Sequence, residues 1–574
     1  MTIIRSAGTL LLVFVLGAPG IQRDLRAQEA SVARTRLAEG IQLLRNGDAA
    51  RAKIKFDAAI RADSRSAEAL TWRGICENQM QHYADAVADL RSALRLDGEL
   101  LSAHYNLALS LIRLQKINEA LEQLRIVIAA QPNTVQPRYN MAILLESKND
   151  FAGAKEQLVA ARSIDPQDAG VAFHLLVDEL KLKHDDDVPA LVDQLAAAST
   201  AMAVQQNAAT ALLEAGSFQS AVSLLQKAHE RDPKSNAIVS LLCRAYIGAG
   251  SNSDAIALAS DGTFSNNEEM TYLLALAYAG NKETQRALET FTLAAQQDTK
   301  DARPLYHLGL IAAATPQGPA NAVQFLRSAH RLDLDNAIYA LALVRILLVT
   351  DQAEEARAVL ITIKASGEDQ AQVDMLSGVA LAATHQGPEA AAQLKKAIAK
   401  DPSLAVAHNV LGFCFFQQGQ YAQAAEAYGK ASELDPRRVL YAQDAALAYG
   451  RANQIDHALR YGQRASSLEE NNANSHALVG KLYASAGRRE DAVRELRLAV
   501  ELNPDKDSAL YLLARTYQQM GDQQQALEWS EKLRLLKQQH EAAFSLQKKT
   551  EATSVRSSTL LEGGSAVDSD ASAP

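Results

Sequence analysis

His184, Asp185, Asp186 and Asp187 stand side by side, an imidazole next to three carboxylates, and form the strongest polar cluster of the 574-residue sequence. Oxygen ligands beside a ring nitrogen would suit a divalent cation. Contiguous residues rarely all turn towards one ion, so the run is expected to be a solvated turn rather than a metal site. The other arrangements that carry chemistry are missing: the sequence has no HExxH pair, no close cysteine pair, no glycine-rich phosphate loop with its lysine and no GxSxG elbow. Cys76, Cys243 and Cys414 are far apart in the chain and read as buried thiols, not as a disulfide framework. His104, His307, His408 and His476 recur at similar offsets, which fits satisfied polar contacts better than ligation. No cofactor or metal is expected, no catalytic residue is assigned, and the chain reads as a non-enzyme.

The composition is that of a helical scaffold. Hydrophobic residues make up 48% but aromatic residues only 5%, as expected where alanine and leucine fill helix crossings. Lys and Arg number 58 against 67 Asp and Glu, a net charge of −9 that argues against nucleic acid as the partner.

The stretch Ala405–Pro436 shows how that composition is used. Leu411, Gly412 and Phe415 fall at helical spacing, then Ala424, Tyr428 and Ala431 do so after a tight turn at Gly419. Gly412 and Ala424 are small where two helices must cross, and Leu411, Phe415 and Tyr428 are the knobs that fill the space beside them. Gly419 lies just past the first helix, where a left-handed residue closes the last turn; Gly47, Gly216, Gly250, Gly487 and Gly521 are its equivalents. The crossing alanine recurs as Ala52, Ala86, Ala120, Ala154, then Ala221, Ala255, Ala287, Ala322, Ala356, Ala390, Ala424, Ala458, Ala492 and Ala526, with Val188 in the gap. Pro132, Pro166, Pro233, Pro402, Pro436 and Pro504 end second helices in the same register. This pattern resembles the tetratricopeptide (TPR) repeat of 34 residues. The resemblance implies an all-α chain, an α-solenoid with a right-handed superhelix, of about fifteen helix-turn-helix repeats.

Along the chain, the apolar run Ala7–Ala18 after Arg5 is too short to span a membrane and looks like a secretory signal peptide over residues 1–27, cut after Ala27 or, alternatively, Gly20. Left uncut it would be an N-terminal anchor; either way the repeats are exported, to the periplasm of a bacterium. The array then divides into residues 28–166, a middle segment 167–301 with degenerate repeats, and 302–549, which ends in a separate amphipathic capping helix over Leu533–Lys549. Three departures are candidate joints: the glycine-free turn at His184–Asp187, the polar connection Asp261–Asn267, and the lengthened turn Thr315–Pro319. Residues 550–574 read as a disordered acidic tail, whose Glu562, Asp568 and Asp570 would suit a basic groove.

In the family the first helices line a concave groove in which partners lie. The groove-facing offsets carried over to this sequence are Arg34, Arg45, Arg113, Lys181, Arg244, Arg303, Arg345, Arg451, Lys481 and Arg515, against Glu68, Glu146, Glu214 and Glu269. Tyr105, Tyr139, Tyr272, Tyr306, Phe413 and Phe416 fall between these charges. The resemblance thus implies a mainly basic groove for an extended protein or peptide partner of acidic character, with an anionic polysaccharide as the alternative. An asparagine ladder is partial: its offset holds Asn106, Asn140 and Asn207, then His307 and Val410. The paired lysines and asparagines that clamp a carboxyl terminus in chaperone-binding members are not found.

Overall fold

The computed structural model describes residues 19–198, 202–260, 267–315, 318–363 and 368–546. They form thirty α-helices and, among the described residues, no strand. The chain divides into two compact units between Ser251 and Asn252, inside the middle segment. The first unit holds α1 (Pro19–Arg45), α2 (Ala49–Ala62), α3 (Ala67–Gln79), α4 (Tyr83–Leu96), α5 (Leu101–Arg113), α6 (Ile117–Ala130), α7 (Val135–Glu146), α8 (Phe151–Ile164), α9 (Ala169–Leu182), α10 (Val188–Ala197), α11 (Met202–Glu214), α12 (Phe218–Arg231) and α13 (Asn236–Gly248). The second holds α14 (Asn252–Ala259), α15 (Glu268–Gly280), α16 (Thr284–Gln297), α17 (Arg303–Ala313), α18 (Pro319–Leu332), α19 (Ala337–Val349), α20 (Ala353–Thr362), α21 (Glu368–Ala383), α22 (Gly387–Lys400), α23 (Ala405–Gln417), α24 (Tyr421–Leu434), α25 (Val439–Arg451), α26 (Ile455–Leu468), α27 (Ala473–Ser485), α28 (Arg489–Leu502), α29 (Asp507–Met520) and α30 (Gln523–Leu546). Each unit is an α-solenoid in which a helix packs on the next one or two in sequence.

The turn between paired helices explains the register. Gly47, Gly216, Gly250, Gly419, Gly487 and Gly521 all take positive φ, between 73° and 84°. Eight other residues do the same at the equivalent place, among them Gln81, Gln115, Lys183 and Asn453, with φ between 57° and 63°. In each case the backbone bonding is retained: Gln420 N–H reaches the Phe415 carbonyl at 2.9 Å, and His82 N–H reaches that of Glu77 at 2.9 Å. The glycine-free fifth turn is therefore closed by Lys183 in the left-handed conformation, at φ 57°.

At the crossings, a Cβ added to Gly412 would lie 2.8 Å from the Tyr428 ring, so only hydrogen fits there. The marker alanines from Ala52 to Ala492 are buried, and Val188 takes the same place in the fifth hairpin with Leu191 and Leu195 beneath it. Ala526 is only half-buried, because no described hairpin follows α30.

Second helices usually run 14 residues, but α10 has 10, α14 has 8 and α20 has 10. Of the segments that follow them, the one after α14, Asp261–Asn267, was singled out in the sequence; the fifth unit was marked by the turn before α10, and the segment after Ile363 was missed although Lys364–Asp369 is also polar and carries a glycine. The expectation of a separate capping helix over Leu533–Lys549 needs correction. No glycine or proline interrupts residues 523–546, and they form one 24-residue helix, α30. The apolar run Ala7–Ala18, the tail 550–574, residues 261–266 and residues 316–317 lie outside the described residues. Helix α1 runs across both Gly20 and Ala27, and no described helix is long and apolar enough to cross a membrane.

Candidate functional site

Consecutive first helices lie next to one another within each unit, as α3 does with α5, α7 with α9, and α25 with α27. A seam of side-chain bonds crosses from one first helix to the next. In the first unit the Asn78 amide donates to the Asn106 carbonyl at 3.2 Å and accepts from Ser110 Oγ at 2.7 Å. The Asn140 amide donates to the Tyr105 hydroxyl at 3.1 Å, and His174 Nδ1 lies 2.9 Å from the Glu146 carboxylate. In the second unit the Tyr272 hydroxyl meets His307 Nε2 at 3.1 Å, the Arg345 guanidinium donates to Gln372 at 3.1 Å, Asn409 to Asp444 at 3.2 Å, and Gln443 to Ser475 at 2.8 Å. The rings line up beside these bonds: Tyr139 and Phe173 both meet the His174 ring edge-on, with centroids 5.3 and 5.0 Å away.

The residues nominated from the sequence fall into three states. Arg113, Arg244, Arg451 and Arg515 are exposed, Tyr105, Tyr139, Arg303, Arg345, Phe413 and Phe416 are half-buried, and Tyr272 and Tyr306 are buried. The two buried tyrosines are therefore packing groups. Tyr306 packs against Tyr339 with the rings tilted by 41° and centroids 5.0 Å apart, and burial pushes the Tyr272 hydroxyl well above its ordinary value. Arg303 is not a free cation: it is held by Glu269 and Asp301, each at 2.8 Å, with its guanidinium 4.4 Å from the centre of the Tyr272 ring. Burial, with Arg303 adding to it, lowers His307 to about 4, so that this imidazole is neutral where Tyr272 meets it.

The remaining histidines act as structural pins. His104 bridges Gln123 at 2.7 Å and the Gly98 carbonyl at 3.0 Å; His476 does the same with Glu495 at 2.7 Å and the Glu470 carbonyl at 2.9 Å; His408 takes the Pro402 carbonyl at 3.1 Å. Burial raises the thiols of Cys76 and Cys414 to about 11 and that of Cys243 to about 12, which leaves them unreactive.

Asp185, Asp186 and Asp187 are exposed, and His184 turns instead towards Glu179, 3.7 Å away, and Lys155, 3.5 Å away. The same trio occurs earlier: buried Glu77 receives Lys53 at 2.5 Å and His82 at 2.8 Å. Lys53, Glu77 and His82 become Lys155, Glu179 and His184 by adding 102 residues, three periods of 34. Ligand atoms of Glu77, His82 and Asp85 lie within 4.8 Å of one another, the spacing of a metal site. The Lys53 ammonium already neutralises the buried carboxylate, which gives the trio a structural account without an ion.

One buried group escaped the sequence reading. Asp178 on α9 is fully buried, and neither carboxylate oxygen has a hydrogen-bond partner. Desolvation, with Glu146 and Glu179 nearby, raises it to about 7, against the pull of Lys155. Equivalent positions hold Cys76, Ser110, Leu144 and Cys414, so aligning the repeats would have exposed the anomaly. His174 was missed too, although it shares the offset of Asn106 and Asn140.

Family models described as tetratricopeptide repeat match residues 37–100, 105–169, 212–266, 405–438, 473–506 and 507–548. The small glutamine-rich tetratricopeptide repeat-containing protein 2 of Mycosarcoma maydis is 31% identical over 101 residues, which cover 18% of this chain and 29% of that protein. Superkiller complex protein 3 of Homo sapiens is 24% identical over 404 residues, which cover 66% of this chain and 24% of that protein. The chain thus spans less than a third of the length of these curated relatives. Among solved structures, one of the APC/C hetero-tetramer Cut9-Hcn1 aligns with 86% of this chain and 98% of its own at 15% identity, with a TM-score of 0.31.

Proposed function

Because the chain belongs to the tetratricopeptide-repeat family, whose members are protein-interaction scaffolds, we propose that it is an exported, non-catalytic scaffold that holds an extended protein segment along its first helices. The observation that carries this reading is the seam. Tyr105, Tyr139 and His174 are half-buried and already fixed by hydrogen bonds or ring contacts, so a partner meets side chains that lose little further freedom on binding. Amide, hydroxyl and imidazole groups alternating with rings suit a peptide backbone and its apolar side chains. The exposed Arg113, Arg451 and Arg515 favour acidic residues in that partner.

An anionic polysaccharide draws support from the same arginines, but it needs a run of available cations. Arg303 is spent on Glu269 and Asp301, and Arg345 is turned to Gln372. The protein partner is therefore the preferred reading. Export rests on the apolar run Ala7–Ala18 behind Arg5, and periplasmic residence follows from it.

A photo-crosslinking residue placed at Tyr105 or Tyr139, with controls at the exposed second-helix positions Ile126 and Val159, tests the surface. Capture of one defined protein from the first-helix positions alone is expected. Capture only from the second-helix positions would overturn the assignment. Fractionation of cells expressing the full chain or residues 28–574 tests export: the shorter chain should stay in the cytoplasm.

A further inference from the structure

Helix α30 is the last helix of the described residues. Leu527 is 72% exposed and Leu535 48%, whereas Leu536 is buried. Between α28, Pro504 and α30 lies a groove of about 670 Å³ whose apolar lining is Val500, Leu510, Trp529 and Leu535, bordered by Arg497 and Lys532 and by Glu501 and Glu528. Lys532 lies over the Trp529 ring at 4.0 Å and is paired with Glu528 at 2.9 Å, whereas Arg497 makes a weak 3.4 Å bond to Gln525. The groove lies between the last two hairpins, and its apolar side chains, bordered by charges of both signs, form a surface that an apolar anchor can occupy.

The sequence continues past Leu546 with 28 residues in which a single pair of large apolar side chains occurs, Leu560–Leu561, set between Ser557-Ser558-Thr559 and Glu562-Gly563-Gly564. We propose that the groove at the end of the second unit is the docking site for this segment of the chain itself, with Leu560 and Leu561 on the apolar floor and Glu562 against Arg497. The reach is sufficient. From Leu535 to the end of α30 is about 16 Å at 1.5 Å per helical residue, and the 14 residues from Leu546 to Leu560 extend up to about 46 Å. Tethering of this length supplies an effective concentration in the millimolar range, enough for a two-leucine anchor that would bind weakly as a free peptide. The docked segment would present Ser, Thr and Gly outwards and so cover the apolar side chains between the last two hairpins.

Trp72 and Trp529 are the two tryptophans of the chain, so in a Trp72→Phe background Trp529 reports on the groove alone. The expected result is that Leu560→Ala with Leu561→Ala in the full chain shifts Trp529 emission to the red and opens it to iodide quenching. A peptide of residues 554–566 added to a chain ending at 549 should restore both. Unchanged emission and quenching in the double variant would overturn the proposal. So would protection that depends on protein concentration, which would show a second copy in the groove instead. As a check independent of the tryptophan substitution, Leu535→Cys with Leu561→Cys should form an intrachain disulfide under mild oxidation; its failure to form faster than a Leu535→Cys, Ser572→Cys control would also overturn it.

Discussion

Asp178 offers the sharpest test of the packing argument. Its carboxylate sits at a position that is apolar or small in the neighbouring repeats, fully buried and without a partner. The groups that face it are Glu146 on α7, Lys155 on α8 and Glu179 on its own helix, with His174 one turn away bonded to Glu146; the charged residues of α10 and α11, Asp193 and Glu214, are exposed. A value of about 7 in the folded chain against 3.8 for the ordinary carboxyl means that the native state holds the proton more tightly than the unfolded one. Stability is then fully present below about pH 4 and is lost as pH rises to 7, by about 4 kcal/mol at 1.36 kcal/mol per pH unit. Asp178→Asn removes the ionisation while keeping the shape, so it should raise stability at pH 8 by up to that amount and change little at pH 4. Because repeats open locally, the readout is hydrogen-exchange protection over residues 135–197, corrected for intrinsic rates, and not a single melting temperature. An equal gain at both pH values, or none at pH 8, would show that the Asp178 carboxylate is stabilised by something other than its proton and would refute the reasoning.

Other perturbations have definite signs. Gly487→Ala should cost about 1 kcal/mol, since the residue has φ 75° with open space around it, while Gln115→Gly at φ 60° should cost nothing or stabilise slightly; equal effects in urea unfolding would refute the turn account. Ala424→Leu forces a larger side chain into a fully buried crossing and should destabilise the α23–α24 hairpin by about 1–3 kcal/mol, seen as faster local exchange. Lys53→Met leaves Glu77 buried without its cation and should cost about 3 kcal/mol in urea unfolding. His307 has the opposite pH dependence to Asp178: its lowered value means that the second unit loses stability as pH falls from 6.5 towards 4, and His307→Gln should flatten that slope in exchange over α15–α18.

What could be read from the sequence was whatever the period forces on a single position. Ala424 and its equivalents are small because two helix axes cross there, and Gly419 is a glycine because the chain turns left-handed; both facts are local, and both are visible in the residue itself. The turn also shows the limit, since Gln81 and Lys183 adopt the same φ without being glycine. Where each first helix meets its neighbour, the outcome depends on two residues and on the rotation between helices, which no single position encodes. Arg303 looked like a groove cation until Glu269, 34 residues earlier, and Asp301 were placed against it. Tyr272 and Tyr306 were nominated by offset and proved to be buried, with the rings of Phe291 and Tyr339 packed at a tilt against them. The end of α20 was missed because a helix that stops after ten residues differs from one of fourteen only in the polarity of the residues beyond its end.

The seam has a bearing on how the chain is made. Its bonds join positions at most 35 apart, as Asn140 and Tyr105, Tyr272 and His307, and Asn409 and Asp444 do. Such a chain has very low contact order, so no hairpin waits for distant partners before it can form. Each becomes complete once roughly one further period has emerged from the ribosome, a matter of seconds at about 5–20 residues per second. The protein can therefore be assembled from its leading end while the rest is still being synthesised, and a stall midway leaves finished hairpins, not an unfolded chain.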